Sequence, residues 1–325
     1  MRSRLDLVFA LFLAAACGLA PAAEEGKFPS ERAVRLVAPF APGGTGDTLT
    51  RILAERLGVV WQTPTIVENR QGGSAVVATQ MVASAPADGH SLLVSASNFT
   101  INPFLLPKLP YDSAKDFSPV TLLATNPHIL IINASVPATN LREFLAWAKL
   151  KKGGGTYASF GNGTSAHLGF ERLKHAVGIN MVHVPYKGAA PAISDLMSGQ
   201  VDAMLCDTQQ VIQFLPTGKI RAIASASAER APTLPEVPTF SEGGVPNFIS
   251  TSWFGLIAKA GTPQAVIDEI QRATVRVLNQ SEVKARLQTM GIDAVGSSQK
   301  DFDVFLKKNA QEYSAIIKVA GIRHE

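Results

Sequence analysis

From Val34 onward the chain alternates short apolar runs with longer stretches whose apolar residues recur every three to four positions. Val34 to Pro39, Thr65 to Glu68 and Ser91 to Ser95 are aliphatic runs too short for helices and bounded by turn residues, which predicts strands. Between the first two, Asp47 to Leu57 places Leu49, Ile52, Leu53 and Leu57 on one helical face, with Gly58 as a stop. A second helix is predicted from about Ser74 to Ala85, and Pro86-Ala87-Asp88-Gly89 reads as a turn. The theme then repeats, with strands at His128 to Ile132, Thr156 to Phe160, Met181 to Val184, Val201 to Leu205 and Ile220 to Ala226. Helices are predicted from Asn140, which has Glu143 three residues on as in a capping box, over Thr164 to Val177 and over Ala189 to Ser198. A polar, proline-rich stretch from Glu229 to Pro246 precedes the apolar run Trp253 to Ala258. Three helices close the chain: one opened by Thr262-Pro263, one near Ser281 to Met290, one over Ser298 to Ala320. Such alternation predicts α/β architecture with parallel strands, and the length suggests two domains.

The first residues break this pattern. Arg2 and Arg4 precede an apolar stretch from Leu5 to Ala20, interrupted only by Asp6, and Ala20-Pro21-Ala22 offers the small residues that signal peptidase requires. Residues 1–22 are therefore expected to be a signal peptide, so the mature chain is expected to be exported. Lipid attachment at Cys17 is the alternative, but Ala14 stands where a lipoprotein signal carries Leu. With Cys17 removed, Cys206 remains alone, so no internal disulfide is expected and stability must come from core burial. The chain carries 30 Lys and Arg against 26 Asp and Glu, an excess too small and too evenly spread for a nucleic-acid binder. The longest basic cluster, Lys149-Leu150-Lys151-Lys152, reads as a solvated helix end.

Candidate chemistry gathers where strands end. Pro39 to Asp47 joins the first strand to the first helix, and Gly43, Gly44 and Gly46 let main-chain amides turn toward one point at a helix N-terminus, a place that favours an anion. Thr45 or Asp47 could cap that helix, and Asp47 could also accept from a ligand. A second strand-to-helix loop contains Gly161, Asn162, Gly163 and Thr164. Its Gly161 to Ala166 fits the G-x-G-x-x-A pattern of dinucleotide sites, yet Asn180 to Pro185 lacks the acidic residue such sites need, so anion capture survives and dinucleotide binding does not. Shorter segments fall at similar positions: Ser97 and Asn98 followed by Asn102; Tyr186, Lys187 and Gly188; and Cys206-Asp207-Thr208-Gln209. Nucleophile elbow, zinc-binding H-E-x-x-H and P-loop motifs are absent, and the six histidines show no ligand spacing, so neither metal nor cofactor is expected. A secreted enzyme using Cys206 or Asp207 stays open as an alternative.

Several stretches together resemble the Bug family, the periplasmic solute receptors of tripartite tricarboxylate transporters. They include Val34 to Asp47, Val67-Glu68-Asn69-Arg70, Ala87-Asp88-Gly89, Leu109-Pro110-Tyr111-Asp112 with Lys115-Asp116-Phe117, and Val184 to Gly188. Gly199-Gln200-Val201-Asp202, Leu234 to Thr239 and Trp253-Phe254-Gly255-Leu256 complete a set that runs in family order. Two departures stand out: Cys206 where an aromatic residue is usual, and a shortened segment at Val59 to Gln62. The resemblance implies a type II periplasmic-binding-protein fold with two α/β lobes around a ligand cleft. Residues 23–123 and 227–325 would form lobe 1 and residues 124–226 lobe 2, with chain crossings near Leu122–Thr125 and Ala224–Ala228. It further implies a small carboxylate ligand held by the Pro-Gly-Gly loop of one lobe and the Gly-Asn-Gly-Thr loop of the other, membrane transporter subunits as partners, and a monomer. A ligand-binding partner of a membrane sensor would look the same in sequence.

Overall fold

The structure, a computed structural model, describes residues 28–29 and 32–323; the expected signal peptide and Cys17 lie outside them. The first lobe begins with β1 (Val34–Ala38), α1 (Thr45–Trp61), β2 (Thr65–Asn69), α2 (Val76–Ala83), β3 (Ser91–Ala96) and α3 (Asn98–Leu105). Helix α1 runs through Gly58, because Trp61 is drawn into the core at 8% exposure, and it ends at Gln62 in the left-handed region. Helix α2 starts later than its sequence suggests, since Ser74 and Ala75 both have positive φ. The long strand β4 (Phe117–Asn133) then leaves this lobe and enters the second.

There follow α4 (Leu141–Leu150), β5 (Gly155–Ser159), α5 (Ser165–Val177), β6 (Met181–Pro185), α6 (Ala189–Ser198), β7 (Ala203–Asp207) and β8 (Ile220–Ser225). The chain returns through β9 (Thr251–Lys259) and finishes with α7 (Gln264–Leu278), α8 (Ser281–Thr289), β10 (Asp293–Ala294) and α9 (Gln299–Ala320). The expected α/β elements are all present. Those that sequence periodicity missed are α3, which holds Pro103, the first part of β4, which holds Pro119 and Pro127, and the two-residue β10.

Each lobe buries both faces of its sheet. In the first, Val34 and Leu36 pack with α1 and α7, while Val37 faces Ala78, Phe99 and Phe302. In the second, Leu130, Ile132 and Tyr157 pack with Phe144 and Phe170, while Ile129, Ile131 and Cys206 face Ile193 and Leu196. Phe240 and Phe248 belong to the same cluster as Leu130, so residues 227–250 stay with the second lobe. The return crossing thus falls at Ser250–Thr251 rather than at the expected Ala224–Ala228, and the outward crossing at Pro127–His128 rather than near Leu122–Thr125. The reason is side-chain packing: the proline-rich stretch covers the second sheet instead of linking the lobes.

Strand direction sets where chemistry can occur. β1 pairs parallel with β2 and β3, and β9 is antiparallel to both β3 and β4, so β4 runs the same way as β1–β3, toward the second lobe. β7 is antiparallel to β4 and β5 is parallel to β7 and β6, so these three strands run back toward the first lobe. The carboxyl ends of both sheets therefore face each other across the crossing. Ala96 aligns through Phe254 with Ala124, and Asp207 aligns with His128. Four residues of β4 thus separate the two edges, roughly 13 Å at strand rise.

Candidate functional site

The loop after β1 is held from within. Gly43 has φ +82° and Gly44 precedes α1, which no side chain caps. Asp47 is 1% exposed, and its carboxylate accepts from Gly43 N (2.8 Å), Arg51 Nε (2.9 Å) and Asn69 Nδ2 (2.7 Å). Burial alone would raise its pKa, but the hydrogen bonds from Arg51, Gly43 and Asn69 outweigh it and hold the carboxyl below its ordinary value. Both Asp47 oxygens are engaged, so Asp47 shapes the turn rather than offering itself to a ligand. What the turn presents is the first-turn amides of α1, from Thr45 on, whose intrahelical acceptors do not exist.

The second loop departs from its expected role. Gly161 N donates to Ser159 Oγ (3.3 Å), Gly163 N to His167 Nδ1 (3.0 Å) and Thr164 N to Gly161 O (3.4 Å). Thr164 Oγ1 in turn caps α5 by accepting from His167 N at 3.4 Å. Three of the four amides expected to cradle an anion thus close the loop on itself. The side chain of Asn162 donates to Arg323 O (2.7 Å), and a Cβ on Gly163 would meet Leu105 Cδ2 at 2.1 Å. His167 is pushed down to about 3 by burial, then by His183 and Lys174, so its ring is neutral and Nδ1 can accept.

Both loops nevertheless converge on one face of β4. Thr45 Oγ1 accepts from Gln209 Nε2 at 3.0 Å, and Gln209 Oε1 accepts from Asn126 Nδ2 at 2.8 Å. Two residues along, His128 Nε2 lies 3.4 Å from Ser165 Oγ, the first residue of α5. Residues i and i+2 of a strand share a face, so Asn126 holds the first-lobe loop and His128 the second on the same side of the crossing. Asn126 and His128 are 0% and 1% exposed. Burial, and then the charge of Arg172, push His128 down to about 3, so it too is neutral.

Asp207 stands beside them. Its Oδ1 accepts from Ser252 Oγ at 2.6 Å and lies 3.6 Å from His128 Nε2. Burial pushes its pKa up to about 6, against the Ser252 hydrogen bond. The neighbouring Cys206 is 0% exposed and burial raises its thiol pKa far above normal, so it is a core residue and not a poised nucleophile.

Of the remaining sequence candidates, Asn102 and Tyr186 make side-chain ties within their own lobes. Asn102 is 1% exposed and its Nδ2 donates to Ser74 O (2.8 Å), a tie within the first lobe. Tyr186 OH donates to Asp195 (2.7 Å) within the second. Ser97 is buried at the start of α3, with its carbonyl accepting from Thr100 N, and Asn98 is half-buried next to it. Lys187 is exposed, and Gly188, at φ +109°, precedes α6, which no side chain caps. Sequence reasoning missed Asn126, His128 and Ser252; the polar alternation Asn126-Pro127-His128 was the one available signal. Among the described residues no group of three or more His, Cys, Asp or Glu could hold a metal ion. A cavity of about 560 Å³ at the far end of the first lobe, walled by Phe99, Phe104, Tyr111 and Phe117, contains none of these groups.

With the geometry in hand, comparison with known proteins is informative. The family model described as Tripartite tricarboxylate transporter family receptor matches residues 49–322. Protein BugT of Bordetella pertussis is 30% identical over 99% of this chain and 98% of its own. Among solved structures, R. palustris Rpa4515 with adipate is 30% identical with a TM-score of 0.78, covering 91% of this chain and 99% of that one. MatC from Rhodopseudomonas palustris with bound malate is also 30% identical, with a TM-score of 0.74, covering 89% and 100%.

Proposed function

We propose, from the premise that this chain belongs to the tripartite tricarboxylate transporter receptor family, that it captures a small carboxylate-bearing solute between its lobes and hands it to membrane transporter subunits. The family is one of solute-binding receptors, and the two relatives just described carry dicarboxylates. One observation in this chain carries the reading. Asn126 and His128, on one face of the crossing strand, bring the uncapped turn of α1 and the start of α5 to the same place.

A solute carboxylate at the first turn of α1 meets main-chain amides and the positive end of the helix dipole. Micromolar capture needs about 8 kcal/mol net. Charge-assisted hydrogen bonds contribute about 1.5–3 kcal/mol each, against several kcal/mol of ordering cost, so four to six polar contacts suffice with no metal. Only the closed arrangement lets one solute touch both lobes, so binding favours closure. The mature chain would work as a periplasmic monomer, consistent with the secretory character of residues 1–22 and with the absence, among the described residues, of any helix able to cross a membrane.

The test is a thermal-shift screen of the unmodified protein against mono-, di- and tricarboxylates, aromatic acids and acidic amino acids. A cognate acid raises Tm with concentration by mass action. A melting curve that no acid moves would end the carboxylate reading.

A further inference from the structure

A carboxylate is an unexpected neighbour for an anion site, and Asp207 is one. It ends β7 in register with His128. Its Oδ1 is taken by the Ser252 hydroxyl, while Oδ2 accepts no hydrogen bond from the described residues, and the side chain is 18% exposed. The groups facing it are the neutral His128 ring of β4 and the Ser252 hydroxyl of β9. Arg172 of α5, the charge that acts on His128, is engaged by Ile249 O and Glu312. Among the described residues no Lys or Arg pairs with Asp207. An uncompensated carboxylate repels a second carboxylate. It accepts strongly from a hydroxyl or an ammonium group.

Position sharpens this. Gln209, two residues beyond Asp207, touches Thr45 at the start of α1. The turn that begins at Asp207 therefore contacts the turn that opens α1. We infer that Asp207 reads a hydrogen-bond donor carried close to the solute's carboxylate, so that this receptor takes hydroxy- or amino-substituted carboxylic acids in preference to unsubstituted ones. The inference rests on the receptor function proposed above and narrows its ligand class. Around neutral pH Asp207, with a pKa of about 6, is mainly ionised and so acts as an acceptor.

The experiment is calorimetric titration at pH 7.5 with matched acids: propionate, lactate and alanine; succinate, malate and aspartate; glutarate, 2-hydroxyglutarate and glutamate. In the set that binds, a substituted member should exceed the unsubstituted one by about tenfold or more in affinity. Whether the hydroxy or the amino member wins identifies the donor. Asp207→Asn should remove most of that advantage while leaving the unsubstituted acid bound at least as tightly. An unsubstituted acid that binds as well as its partners in the unmodified protein overturns the inference without any variant. Equal loss of both kinds of ligand in Asp207→Asn overturns it too, by showing a structural role. If no acid of any set binds, this inference is overturned, while the receptor function stands or falls separately on the broader thermal-shift screen.

Discussion

Gln209 Nε2 donates to Thr45 Oγ1 over 3.0 Å, joining residues 164 positions apart and in different lobes. The same side chain accepts from Asn126 at the crossing strand, so one amide links the turn of α1, the turn after β7 and the floor between them. This contact ties the two lobes to each other directly.

Replacing Gln209 by Ala should therefore loosen closure. One such hydrogen bond is worth about 1 kcal/mol net, which weakens a ligand that selects the closed state by about fivefold. Small-angle scattering of the unliganded variant should show a larger radius of gyration, and titration should show weaker binding. An unchanged scattering profile together with unchanged affinity would mean that Gln209 does not hold the lobes together.

Asp47 is buried under three donors, so its loss should harm the fold as well as the site. Asp47→Ala removes the acceptor shared by Gly43 N, Arg51 Nε and Asn69 Nδ2, at a cost of about 2 kcal/mol and roughly 5 °C in Tm. Because the folded pKa is depressed, this contribution is complete above the unfolded value of about 4 and is lost as pH falls through the folded one. The Tm gap between parent and variant should shrink in acid. A gap that is independent of pH would assign the effect to packing.

The sign is opposite for Asp207. Unfolded Asp releases its proton near pH 4, whereas burial holds the folded group to about 6. Its favourable contribution is present below about pH 4 and disappears as pH rises through about 6, a change of at most about 3 kcal/mol. Asp207→Asn stays neutral throughout, so its stability relative to the parent should rise between pH 4 and pH 7. The buried neutral His128, common to both proteins, works the other way, and the difference curve reduces its influence. Denaturant unfolding at several pH values measures this directly.

Gly163 combines a φ of +72° with a close approach to Leu105. Gly163→Ala should destabilise by about 1–3 kcal/mol through overpacking and an unfavourable backbone, and should weaken ligand binding by shifting the start of α5. Adding Leu105→Ala relieves the crowding but not the backbone strain. Partial recovery of Tm in the double variant is the expected outcome; none would leave the backbone as the whole cause.

How far the sequence speaks can be judged from these same residues. The periodicity of Leu49, Ile52, Leu53 and Leu57, and the short aliphatic runs at Val34 and Ser91, encode α1, β1 and β3 because backbone geometry repeats every 3.6 or 2 residues. Glycines at strand ends likewise mark Gly43 and Gly161 as turns, since both need positive φ. Long-range pairing left no such local trace. Gln209 meeting Thr45, 164 positions away, is one such pairing. That Asn126 and His128 form the floor followed only from β4 running unbroken through two prolines into the second lobe. Local sequence thus determined the elements and the places where the chain turns. Tertiary structure alone decided which polar groups remain open, because a donor or acceptor is free only if nothing distant in sequence has reached it first.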